Sequence, residues 1–291
     1  MVKFFWNTNK PEESWVGSYH LKNSKEWIEL ILKNINTLEI LSLDQLKNDD
    51  DLIIVDSKIN NKESFYLDLS KKCRKIYLFH LGDEGALEKK DIIYGCCKHV
   101  WRTFFWNSIK KYKNCSFIPL GYKSFDKVPK KKISEKKYLW SYLGTIHHAS
   151  RYDLNYQLRK VEPSFVKKTQ AFGSADSLDS KSYYNILNDS IFTPIPIGFI
   201  HPETYRLFEC LEIGCIPIVE NPKKFFDMLF PNNPFIKIEL WKEAKSIIED
   251  FRNNTQFLEK KREDCINWWD QTKLKYQKEI EYIINNEQKS I

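Results

Sequence analysis

Ile200–Glu220 reads IHPETYRLFECLEIGCIPIVE. Pro202 presets a helix N-terminus, with Glu203 and Thr204 expected in the first turn. Leu207, Phe208 and Leu211 fall at i, i+1 and i+4, an apolar stripe suited to burial. Gly214 ends that helix, and Cys215–Val219 is a short apolar strand bounded by it. The unit is therefore loop, helix, turn and buried strand. Its polar residues Glu203, Arg206 and Glu209 recur every three positions, so the arginine neighbours both acids. Two readings stay open. A helix N-terminus with an arginine suits an anionic ligand, because backbone N–H groups and the guanidinium fork both donate to phosphate oxygens. The same spacing also suits a surface ion-pair ladder of a few tenths of a kcal/mol per pair.

HPETYRLFECLEIGCIPIVE resembles the C-terminal signature of exostosin-like glycosyltransferases, approximately S-P-E-T-x-R-x-x-E-A-L-x-x-G-C-I-P-V-V. The resemblance runs without a gap over about twenty residues. His201 replaces the usual Ser, Cys210 replaces Ala and Ile218 replaces Val; none removes a charged group. The resemblance implies an α/β fold of the GT-B type, with two Rossmann-like domains across a cleft. It implies an inverting transferase using a nucleotide-diphosphate sugar, UDP-linked, of the xylosyl-transferring kind, and a glycan hydroxyl as acceptor. His201, Glu203, Thr204, Arg206 and Glu209 would then line the donor site, with Glu209 accepting from the ribose.

At 291 residues the chain can form one large domain or two of common size. The 42% apolar and 15% aromatic content excludes a disordered chain. A net charge of +7 is mild and spread along the sequence. It favours an anionic ligand or a peripheral membrane contact but does not argue for nucleic acid. The seven cysteines have no C-x-x-C or zinc spacing, which suggests free thiols in a reducing, cytoplasmic compartment. MVKFFWNTNK lacks signal-peptide architecture, and no apolar run approaches a membrane span. The G-x-G-x-x-G dinucleotide fingerprint is missing.

Val2–Trp6, Leu38–Leu43, Leu52–Val55 and Lys75–His80 read as strands, and Ser24–Asn36 and Ser64–Arg74 as helices. Lys10–Asn23 is loop-like and carries Trp15 and Tyr19. Asp49–Asp51 is read as a turn rather than a metal motif, since no second ligand cluster accompanies it. The loop after Lys75–His80 places His80, Asp83 and Glu84 beyond a strand end, where ligands gather in open α/β sheets. Its H-x-x-D-E pattern resembles the N-terminal half of the same family. That implies Asp83 or Glu84 as the base that deprotonates the acceptor.

Lys98–Trp106 alternates like a strand, and Cys115–Tyr122 reads as another. Their R-x-x-x-W and P-L-G-Y features resemble the family as well. Arg102 either reaches a phosphate or stacks on Trp101 or Phe104. Lys123–Lys137 is basic, lacks apolar periodicity and suits a linker, so the domains are expected at 1–130 (acceptor) and 131–291 (donor). Tyr138–Gly144 opens the second half as a strand; a loop through Arg151 and a helix over Asp153–Val161 follow. Arg151 matches the family's S/N-R step and is a candidate phosphate ligand. His147 and His148 lack metal spacing. Ser182–Asn188, Asn221–Phe230 and Leu240–Phe251 read as further helices, and Ser190–Pro196 and Phe235–Ile238 as strands. Thr255–Asn286 is a long charged helix of the kind that crosses back to the first domain in GT-B enzymes. Positive side chains in place of a divalent cation imply no metal and no cofactor beyond the donor. The competing readings are a fucosyltransferase-like GT-B enzyme and a non-catalytic sugar- or nucleotide-binding protein on the same scaffold.

Overall fold

The computed structural model describes residues 1–7, 23–123, 125, 127–171 and 174–286. Trp15 and Tyr19 lie outside the described residues. The chain divides into two compact units, Met1–Ser124 with Leu274–Ile291, and Phe125–Lys273.

The first unit holds β1 (Val2–Trp6), α1 (Lys25–Leu32), β2 (Thr37–Glu39), β3 (Asp51–Asp56), α2 (Glu63–Lys72), β4 (Lys75–His80), α3 (Asp91–Cys96), β5 (His99–Arg102) and β6 (Cys115–Phe117). The second holds β7 (Tyr138–Thr145), α4 (Ala149–Leu158), β8 (Ser164–Thr169), α5 (Ser180–Asn188), β9 (Ser190–Ile195), α6 (Tyr205–Ile213), β10 (Ile216–Glu220), α7 (Phe225–Leu229), β11 (Ile236–Ile238) and α8 (Trp241–Phe251). Helix α9 (Thr255–Asn286) begins in the second unit, and its last turns group with the first.

All strand pairs are parallel. The first sheet runs β2-β1-β3-β4-β5-β6 and the second β11-β10-β9-β7-β8. In each unit the strand order therefore reverses between its first and third strands, β1 and β3 in one, β7 and β9 in the other. In open parallel sheets ligands sit outside the carboxyl ends at that reversal. Parallel strands covered on both faces need continuous apolar runs. Leu52, Ile53, Ile54 and Val55 in β3, and Ile216, Ile218 and Val219 in β10, supply them at 0% exposure.

Several elements are shorter than their sequence pattern suggests. The strand expected over Lys98–Trp106 stops at Arg102, because Phe104 takes a left-handed φ of 52° that breaks the ladder. The strand expected over Cys115–Tyr122 ends at Phe117. The helix expected over Asn221–Phe230 is split by Lys223 and Lys224, at φ 51° and 57°. Only Phe225–Leu229 is α-helical there. The helix expected from Asp153 starts at Ala149, so Arg151 lies inside its first turn and not in the preceding loop. Strand β8 was not anticipated: it is the sheet edge, and its SFVKKT sequence lacks a continuous apolar run.

Candidate functional site

Helix α6 starts later than Pro202 suggests. Thr204 is its N-cap with extended φ −138° and ψ 154°, and Glu203 precedes it, so neither belongs to the first turn. Leu207, Phe208 and Leu211 are fully buried, each worth about 1.5–3 kcal/mol relative to exposure. Gly214 caps the far end at φ 77°, and the Cys215 N–H returns to the Cys210 carbonyl at 2.9 Å. These two constraints fix the azimuth of Arg206, which sits one residue into the helix.

Arg206 points at the carboxyl end of β7. Its Nη2 donates to the Leu143 carbonyl, and its Cζ lies 4.5 Å from the Tyr142 ring centroid. The Tyr142 hydroxyl in turn donates to the Thr145 carbonyl at 2.8 Å. A Cβ on Gly144 would stand 2.5 Å from Arg206 Nη2 at φ 152°, so only glycine admits the guanidinium here. The Glu203–Arg206–Glu209 ladder does not form. Arg206 makes no ion pair among the described residues, and its buried Nε and the buried Thr204 hydroxyl lack hydrogen-bond partners among them. Burial disfavours the Arg206 charge, but Tyr142, Tyr183 and Glu209 outweigh it, and its pKa is raised. It is a permanent cation held by a backbone carbonyl and an aromatic face, with Tyr183 and the Glu209 charge beside it.

Arg151 comes to the same strand ends from α4. It donates to the Thr145 hydroxyl at 2.7 Å, to the Thr145 carbonyl at 3.2 Å and to the Ile197 carbonyl at 3.4 Å. It thus ties the last residue of β7 to the loop after β9, across the reversal of strand order. Glu209, 1% exposed, accepts from the Tyr183 hydroxyl at 2.5 Å. Glu203 N–H donates to His201 Nδ1 at 3.2 Å, and the Glu203 carboxylate lies 3.8 Å from that nitrogen. Glu220, at the end of β10, accepts from the Ser150 hydroxyl and from Ile197 N–H at 3.3 Å. Burial, helped by the Arg151 charge, lowers the pKa of both His147 and His148, so both are neutral near pH 7. His147 stacks on the exposed ring of Phe199 at 4.2 Å.

Arg151, His201, Glu203, Thr204, Arg206 and Glu209 all belong to the second unit, on α4, α6 and the loop before α6. Tyr142, Gly144, Tyr183, Ser150 and Glu220 were not foreseen. The Y-L-G ending of a strand was a readable signal for the first two; nothing local marks Tyr183, which reaches Glu209 from a separate helix.

His80, Asp83, Glu84 and Arg102 belong to the first unit. Asp83, at φ 62°, has both oxygens engaged. Oδ1 accepts from Leu87 N–H at 2.6 Å and Glu88 N–H at 3.1 Å; Oδ2 faces Lys90 at 3.2 Å and Arg102 at 3.3 Å. Arg102 is 0% exposed and also bonds the Asp83 carbonyl and the Tyr94 hydroxyl, at 2.8 and 3.2 Å. It neither reaches toward solvent nor stacks on Trp101. The backbone carbonyl of Glu84 accepts from Trp106 Nε1 at 2.7 Å.

The model of the RXYLT1 C-terminal domain family matches residues 122–288. The chain belongs to that family. Its relatives include human ribitol-5-phosphate xylosyltransferase 1, 26% identical over 204 residues. That match covers 58% of this chain and 45% of the human protein, so the chain spans less than half the length of the relative it matches. Among solved structures, the DNA-modifying enzyme β-glucosyltransferase, studied with and without uridine diphosphoglucose, superposes with a TM-score of 0.55 at 14% identity, covering 98% of this chain and 100% of that one. The Anabaena protein HepE, in complex with UDP and glucose, gives 0.55 at 8% identity with the same coverage. At such identities these likenesses speak for the fold, which is the α/β GT-B architecture.

Proposed function

We propose that the chain is an inverting glycosyltransferase that moves a sugar from a nucleotide-diphosphate donor to a hydroxyl acceptor. The donor is UDP-linked and carries xylose or a related sugar; the acceptor is a glycan or, as the name of the human relative suggests, a ribitol phosphate. The observation that carries this reading is Arg206. A partly buried guanidinium without a carboxylate partner among the described residues, at the carboxyl end of a parallel strand, is a cation waiting for an anion. Membership of the family supports the same conclusion.

In this mechanism residues 131–291 hold the donor. Arg206, the Thr204 hydroxyl and the N–H groups of the first turn of α6 receive the diphosphate as negative charge builds on it during departure. Arg151 braces the strand ends beneath. Glu209, oriented by Tyr183, accepts from the ribose, and Glu203 with His201 orients a donor hydroxyl. Residues 1–130 hold the acceptor. Arg206, with the helix N-terminus, takes the part of a divalent cation, so turnover needs no metal. A polysaccharide-building role in a reducing, cytoplasmic compartment completes the proposal; seven free cysteines support it.

A non-catalytic, donor-binding reading has one observation in its favour: Asp83, one of the two expected candidates for the base, is consumed by Lys90 and Arg102. A thermal-shift panel of UDP, UDP-xylose, UDP-glucose, UDP-N-acetylglucosamine and GDP-fucose, with and without EDTA, tests the proposal. A ligand at one hundred times its dissociation constant adds ~2.7 kcal/mol. Stabilisation by uridine nucleotides that persists in EDTA is expected. Stabilisation by GDP-fucose alone would move the chain to the fucosyltransferase-like class, and none at all would remove the donor site.

A further inference from the structure

The loop from β9 to α6 is pinned on both sides of two exposed apolar residues. On the near side, Ile197 N–H donates to Glu220 at 3.3 Å, and the Ile197 carbonyl accepts from Arg151 at 3.4 Å. Gly198 N–H donates to the His201 carbonyl at 3.0 Å and closes the turn. On the far side, His201 is 0% exposed, accepts the Glu203 N–H on Nδ1 at 3.2 Å and meets the Phe225 ring edge-on at 4.9 Å. Between these anchors stand Phe199 and Ile200, 69% and 59% exposed.

A lone exposed apolar residue is ordinary. Phe199 differs in what stands behind it. Its ring stacks on His147, with centroids 4.2 Å and planes 26° apart, and His147 belongs to the loop after β7. One face of the phenyl is thus covered by a flat imidazole, and the other is open to solvent. Burial and the Arg151 charge keep that imidazole neutral, so the stack carries no charge of its own. It bridges the loops after β7 and β9 within the second unit, at the reversal of strand order where ligands gather.

A nucleotide-diphosphate sugar is linear: ribose, diphosphate, sugar. In the reading above Glu209 takes the ribose, and Arg206, one helix turn nearer the N-terminus, takes the diphosphate. Further in that direction the chain leaves α6 at Thr204 and enters the pinned loop. The sugar end of the donor, not the base, comes to this loop.

We infer that the open face of Phe199 is the platform on which the transferred sugar stacks, through the C–H face of its pyranose ring. This rests on the transferase reading and deepens it, since the ligand is the glycosyl group of the same donor. A pyranose carries hydroxyls at its rim and C–H bonds on its faces. The face of an aromatic ring is its negative side and attracts those hydrogens, while apolar area leaves water on both partners. His201 and Glu203, two and four positions on, serve the hydroxyl rim. Phe199 holds the sugar in place and moves no proton.

Titration calorimetry of wild type, Phe199→Ala and Phe199→Tyr with UDP, UDP-xylose and UDP-glucose tests this. The side chain is mostly in water, so both variants should melt like wild type. Phe199→Ala should bind UDP unchanged and the sugar nucleotides ~10-fold more weakly, the worth of one aromatic contact. Phe199→Tyr keeps the ring and should restore that affinity. Equal affinities of wild type and Phe199→Ala for both sugar nucleotides overturn the platform and leave the donor site standing. An equal loss for UDP also overturns it, by putting the nucleotide and not the sugar on the ring. A loss that tyrosine does not restore does the same, because it traces to the loop and not to the ring. A wild type that binds UDP but neither sugar nucleotide overturns it as well. A wild type that binds none of the three removes the transferase reading and the platform with it.

Discussion

Arg206 occupies the space where any residue but glycine at position 144 would carry its Cβ: the two would be 2.5 Å apart. A single backbone atom after β7 therefore decides whether the guanidinium can lie against the strand end. Gly144→Ala forces either the φ of 152° or the arginine to change. The strained backbone alone costs ~1–3 kcal/mol. We expect a lower melting temperature together with a loss of UDP affinity. Unchanged affinity would show that the arginine's position at the strand end does not matter to the ligand.

Arg206→Ala separates charge from packing. The side chain meets the Tyr142 ring, one carbonyl and Tyr183 and pairs with no carboxylate among the described residues, so the fold should survive with a small change in melting temperature. Transfer should fall by ~100-fold or more, as when one charge-stabilising donor is removed. Arg206→Lys keeps the charge but loses the fork, and should recover only part of the rate. Near-normal turnover in the alanine variant would remove the diphosphate role.

Tyr183→Phe removes the hydroxyl that meets Glu209 at 2.5 Å. A hydrogen bond to a charged group is worth ~1.5–3 kcal/mol, and here it orients a carboxylate 1% exposed. If Glu209 receives the ribose, titration calorimetry should show UDP binding weakened at least several-fold while free pyrophosphate binding is unaffected. Equal losses for both ligands would place Glu209 elsewhere.

Acidification should destabilise the protein through the His80 site. Burial lowers the His80 pKa below 6.5, with the Arg102 charge acting the same way against the contact to Glu88. The unfolded state then binds the proton more readily. Stability is fully present above pH ~6.5 and is lost as pH falls through the lower native value. The Glu88 carboxyl, also lowered, acts with the same sign further into the acid range. Melting temperatures measured between pH 7.5 and 5 should decline for wild type and decline less for His80→Asn. A flat profile would mean that the ring titrates normally and is not confined.

Much of the architecture was legible in the one-dimensional pattern. Lys75–His80 forms a strand over the expected residues, and Thr255–Asn286 is one helix as its period suggests. Long periodic or continuously apolar runs carry their own signal, because most of their residues must be buried on one stripe or on both faces. The clustering of the candidate residues on α6 was readable for a related reason: Arg206 and Glu209 lie one helix turn apart, and the glycine that ends the helix sits five residues beyond the glutamate. What the pattern could not convey is which groups those side chains meet. Arg206 had two nearby acids and forms an ion pair with neither among the described residues, the Glu209 charge acting on it only from beside Tyr183. Asp83 stood in the expected place beyond a strand end, yet Lys90 and Arg102 close on both sides of it.

Local order, then, determined the helices, the strands and the cation at the start of α6, because backbone preferences and burial stripes act over a few residues. The partners of every charged group were decided only when the chain folded. Tyr142 and Gly144 reach Arg206 across more than sixty positions, and Ile59 and His80 reach Glu88 from other loops and strands. Which charged group stays open depends on such long-range neighbours, since a charge in a dry interior is governed by what stands within a few ångströms and not by its place in the sequence.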